Sequence, residues 1–114
     1  MVGLVTEAKT PLFLPVPSAM LVGVSADAQA SLGPMLGSLA VLKVGHIAGA
    51  CERMLATWPL VLIVGGRNKE ADLQTLRATA LDISADVIVL ADYPDPAKLH
   101  EAILAGVKKA SRLR

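Results

Sequence analysis

The stretch LVLIVGGRN, residues 60–68, decides the fold. Five consecutive apolar residues, Leu60 to Val64, stop abruptly at Gly65-Gly66. A short apolar run bounded by a turn signal reads as a strand buried on both faces, which is the habit of parallel sheets. The carboxyl end of such a strand is where open α/β sheets hold ligands and place reactive groups. Here that end carries two glycines and no acid, hydroxyl or thiol.

Similar units occur on either side. AMLVGVS (19–25) reads as a strand and ADAQASLGPMLGSL (26–39) as an imperfect helix; AVLKV (40–44) is followed by the helical HIAGACERMLATW (46–58). After LVLIV come the helix KEADLQTLRATALDI (69–83), the strand ADVIVLA (85–91) and a last helix from Asp95. Strands alternating with helices imply βαβ units around a parallel sheet. Asp95 before Pro96 is a good helix start, and Leu99, Ile103, Val107 and Ala110 form one stripe of that helix. Leu73, Leu76 and Ala80 do the same for the third helix. Gly33-Pro34 should break or kink the first, because proline cannot donate to the carbonyl four residues back. Residues 1–18, with three prolines in KTPLFLPVP, read as an extended arm; residues 19–114 read as one domain.

Composition agrees and narrows the function classes. The 114 residues are 54% hydrophobic but only 3% aromatic, so the core must be aliphatic. A formal net charge of +1 gives no field to recruit nucleic acid or an anionic membrane. Prolines interrupt the apolar stretches, and neither a membrane span nor a signal peptide is expected. A single cysteine, Cys51, allows no internal disulfide and suits a reducing cytoplasmic setting. Between Thr10 and Cys51 the only formal charges are Asp27 and Lys43. A domain this small cannot bury forty residues completely, so part of the segment is expected to meet a partner.

MLVGVSADAQ, PLVLIVGGRN, ADVIVLADYPD and DPAKLHEAILAG, in this order, resemble the receiver domain of bacterial response regulators. The likeness covers residues 20 to about 111 and implies a three-layer flavodoxin/CheY-like α/β sandwich with a parallel sheet of four to five strands. It also implies a phosphorylation site: a phosphoacceptor aspartate after the third strand, acids after the first strand to hold magnesium, a hydroxyl after the fourth strand and a later lysine. This sequence departs from that pattern. The acceptor falls on Gly65 or Gly66, the acidic cluster on Ser25 and Asp27, and the hydroxyl on Ala91; the lysine strand is missing. In an alternative register Asp92 stands near the lysine position. The resemblance therefore implies a pseudo-receiver that is not an enzyme and uses no cofactor. Such a module acts in signalling or localisation through protein contacts, most simply as a homodimer. The charge-poor first helix, through Leu32, Met35 and Leu36, is the expected interface together with the arm, which could also supply a missing edge strand.

Other chemistry is less well supported. GVSADA lacks the glycine a nucleophile elbow needs two residues after its serine, so Ser25 or Asp27 is better read as a helix cap. His46 and Cys51 lie on different helix faces, and no metal site is expected. The second reading rests on Gly65, Gly66 and Arg67. A glycine turn at a helix start presents backbone N–H groups suited to a phosphoryl ligand or nucleotide. Neither nucleotide-binding glycine fingerprint is present.

Overall fold

The computed structural model describes residues 17–66 and 68–113. The arm, except for Pro17 and Ser18, and Arg67 lie outside them. Four strands, β1 (Ser18–Val22), β2 (Ala40–Val44), β3 (Val61–Val64) and β4 (Asp86–Val89), form a parallel sheet in the order β2-β1-β3-β4. Four helices alternate with them: α1 (Ala26–Leu36), α2 (Ile47–Thr57), α3 (Glu70–Asp82) and α4 (Pro96–Leu113), the last preceded by a 3₁₀ turn, Leu90–Asp92. The architecture is the expected α/β sandwich of the flavodoxin-like kind. No helix among the described residues is long and apolar enough to cross a membrane.

Apart from Ser18 at the start of β1, the central strands are apolar at every position because both faces are covered. Ala19 and Leu21 of β1 and Val61 and Ile63 of β3 point to one side, where they meet Leu32 and Leu36 of α1 and Leu99 and Ile103 of α4. Met20, Val22, Leu62 and Val64 point to the other, against Ala50 and Met54 of α2 and Leu76 and Ala80 of α3. The period of two along each strand thus divides the core into two layers. Gly106 lets α4 lie close to the sheet, since a Cβ there would meet Val61 Cγ1 at 3.0 Å and Asp86 Cβ at 3.1 Å.

Three expectations change. The first strand begins at Ser18 and ends at Val22, because Gly23 turns the chain with φ +61°. The first helix runs through Pro34 and ends at Leu36, so proline removes a hydrogen bond only near the end of the helix. The glycine before it also lacks the Cβ that would clash with the pyrrolidine ring. Finally, Leu32 and Leu36 are only 1% and 4% exposed, and the half-buried Met35 packs on the same cluster. These side chains hold α1 to the sheet and cannot form the expected association surface. A charge-poor helix face proved to be a core face.

Candidate functional site

Three strands end in the same dipeptide: Val22-Gly23, Val44-Gly45 and Val64-Gly65. The register sets Val22 opposite Val44 on one side and Val64 on the other, so the three steps lie abreast across β2-β1-β3. The ladder continues into the glycines, with Gly23 N–H donating to the Val44 carbonyl (2.8 Å) and Gly65 N–H to the Val22 carbonyl (2.9 Å). Beyond the last valines this edge of the sheet therefore carries backbone and no side chain. Gly65 is required by close approach: a Cβ there would lie 3.0 Å from the Gly23 carbonyl oxygen and 3.0 Å from Val24 Cα. Gly66 has φ +75°, a left-handed conformation that glycine adopts freely.

Above these glycines opens a crevice of about 490 Å³, within the usual size of a small-molecule site. It lies where the chain departs from β1 to β2 on one side and reaches β3 on the other, the switch point at which α/β sheets bind ligands. Its walls are the starts of α2 and α3, with His46, Ile47 and Ala48 from one and Asn68, Lys69 and Asp72 from the other. His46 and Lys69 are the residues before these helices, and neither side chain caps its own helix. Two sets of first-turn N–H groups and two positive dipole ends therefore flank one cavity. Asn68 Nδ2 donates to the Gly65 carbonyl at 3.2 Å, which ties the loop after β3 back on itself. Lys69 supplies a cation, and Asp72 opposes it in part.

The expected residues divide in their placement. Gly65 and Gly66 line the crevice; Arg67 lies outside the described residues. Ser25 is the N-cap of α1, its Oγ accepting from Ala28 N–H at 3.2 Å, while Asp27 is exposed in the first turn of that helix. Ala91 and Asp92 belong to the 3₁₀ turn after β4. None of these four lines the crevice. Asp95 accepts from Ala97 N–H at 3.0 Å, as its place before α4 suggested. Cys51 is half-buried and accepts from Thr79 Oγ1 at 3.5 Å, which accounts for it as a packing residue between α2 and α3. Among the described residues there is no group of three or more His, Cys, Asp and Glu able to hold a metal.

Sequence reasoning missed Gly23, Gly45, His46, Asn68, Lys69 and Asp72. The repeated Val-Gly step was the available signal. No protein-family model, curated protein or solved structure matches the chain.

Proposed function

We propose that this is a receiver-like domain that binds a small phosphorylated ligand in the crevice and does not itself accept a phosphoryl group. The observation that carries this reading is the set of three Val-Gly steps in register beneath two helix starts without side-chain caps. Phosphate suits such a site because several backbone N–H groups can converge on one tetrahedral anion where no side chain intervenes. Lys69 adds a point charge, and His46 and Asn68 can donate to further oxygens or to an attached base or sugar. Gly65 and Gly66, where a receiver carries its phosphoacceptor, offer no nucleophile, which supports holding the ligand over transfer at that position.

Calorimetry with inorganic phosphate and with nucleoside mono- and diphosphates tests the reading. Binding should weaken as salt rises, and Lys69→Ala should reduce affinity about five- to tenfold, in line with a charge-assisted hydrogen bond of roughly 1–1.5 kcal/mol. Absence of heat at millimolar ligand would end it.

A second reading is a signalling or localisation module working through protein contacts and dimerisation. It is supported by the open outer edge of β4, which no described strand covers. Both readings place the domain in the cytoplasm, in keeping with its single free cysteine, Cys51.

A further inference from the structure

The two outer strands of the sheet differ. Exposed Lys43 stands within β2, one residue before its end, and a lysine on an edge strand is a common device against unwanted pairing. β4 has no charge after Asp86, and its sequence Val87-Ile88-Val89 is a palindrome about Ile88. Asp86 N–H donates inward to the Leu60 carbonyl at 3.0 Å, and Ile88 pairs with Ile63 of β3. In a parallel ladder the main-chain groups of alternate residues face opposite ways, so those of Val87 and Val89 turn outward.

We propose that β4 pairs antiparallel with β4 of a second copy, about a twofold axis at Ile88. The proposal names the partner and face for the protein-contact reading and rests on it; the crevice is not involved. Ile88 then stands opposite Ile88 of the copy as a non-hydrogen-bonded pair. Val87 stands opposite Val89 of the copy; the Val89 N–H donates to the Val87 carbonyl, and the Val89 carbonyl, which also begins the 3₁₀ turn Leu90–Asp92, accepts from the Val87 N–H through its second lone pair. The inward-facing groups of Ile88 and the outward-facing groups of both valines are what this register requires. A sheet running continuously through both copies removes the open edge from each.

The flanks carry matching charge. Arg77 and Lys109 line the groove beside Asp86 and Val87, toward the amino end of β4. Glu70 shares the Arg77 side of α3 by its seven-residue spacing, and it stands with Asp92 and Asp95 toward the carboxyl end. A twofold axis at Ile88 lays the basic end of one copy on the acidic end of the other; Lys98 and Asp86 offset this only in part. Leu81 and Leu113, 78% and 61% exposed at the basic end, gain cover in the same contact. A palindromic ladder and a self-complementary charge gradient together favour a second copy over an unrelated strand.

The test is sedimentation of the full chain from micromolar to millimolar concentration, with amide hydrogen exchange across the same range. The expected result is a dimer in which the Val87 and Val89 amides become protected as concentration rises. Val87→Pro removes an outward N–H, which an edge strand tolerates, and Val89→Lys places a charge on the edge. Each should lower the association constant about tenfold or more while circular dichroism stays unchanged. If either variant fails to fold, the exchange pattern of the unaltered chain decides alone. A dimer that survives both folded variants, or leaves the two amides unprotected, overturns β4 pairing while retaining the protein-contact reading. Protection at every concentration in a monomer means that the chain covers its own edge, and overturns the proposal. A chain that is monomeric throughout with unprotected amides overturns both the proposal and the homodimer reading.

Discussion

Replacing Gly65 by alanine tests whether the glycine after β3 is a position emptied of chemistry or one closed by packing. The added Cβ would lie 3.0 Å from the Gly23 carbonyl oxygen, 3.0 Å from Val24 Cα and 3.3 Å from Val24 Cγ2. Carbon atoms in contact prefer about 3.5–4.0 Å. The two nearest atoms are backbone, held by the bonds from Gly23 to Val44 and from Gly65 to Val22, so no side-chain rotation relieves the overlap. The turn after β1 must move by several tenths of an ångström. Overpacking of this kind costs about 1–3 kcal/mol. Alanine also restricts the unfolded chain and returns about 0.4–1 kcal/mol. The midpoints of these ranges leave a net loss of about 1.3 kcal/mol, a fall in Tm of roughly 5–10 °C for a domain near 100 residues. Scanning calorimetry should be run beside Gly49→Ala, whose Cβ would meet nothing closer than Val44 Cγ1 at 4.0 Å. That helical substitution should raise stability by about 0.5–1 kcal/mol. A Gly65→Ala protein as stable as the parent would refute the close-approach argument. Gly65→Asp should be worse than alanine, because it adds a charge at a buried position.

Two further outcomes follow from the helices. Ser25→Ala leaves the Ala28 N–H without its cap and should cost about 1 kcal/mol in urea denaturation, whereas Ser25→Asp should keep most of it. Leu32→Ala or Leu36→Ala should each cost about 2–5 kcal/mol, measured as a lower urea midpoint, since both side chains fill the core under α1. A loss of self-association with unchanged stability would contradict that placement.

The strands were legible because both faces of a parallel sheet demand apolar residues, so LVLIV and ADVIVLA announce themselves without any alternation to decode, although the second ends at Val89 and its Leu90 and Ala91 turn into the 3₁₀ segment. The end of β1 was not, because Val24 is as apolar as its neighbours; the turn comes from the left-handed Gly23, which composition alone does not reveal. Leu32 and Leu36 are one helical turn apart, a spacing that suits a core stripe, yet they read as an interface. The scarcity of charge around them suggested an outward face only because small and polar uncharged residues, Ser31 and Gly33 among them, cover the exposed side of α1. The site was half legible. Gly65-Gly66 stood out as a pair, but Gly23 and Gly45 are single glycines whose meaning comes from strand register, a long-range property. His46 and Lys69 come together only because α2 and α3 share one face of the sheet.

The two proposed surfaces meet in α3, and this yields a sharper test than either alone. Lys69 and Asp72 face the crevice, whereas Arg77 and Leu81 line the β4 groove on another side of the helix. Between them Leu76 and Ala80, at 0% and 1% exposure, seat α3 on the sheet. If this seating is rigid, phosphate at the crevice should leave the dimerisation constant nearly unchanged. Linkage then requires that dimerisation leave phosphate affinity unchanged by the same factor. Sedimentation with and without phosphate gives one side of this equality, and calorimetry above and below the dimerisation constant gives the other. Coupling of several-fold, equal in both directions, would show that α3 shifts as a body between two seats, and would refute its description as a fixed wall shared by two independent surfaces.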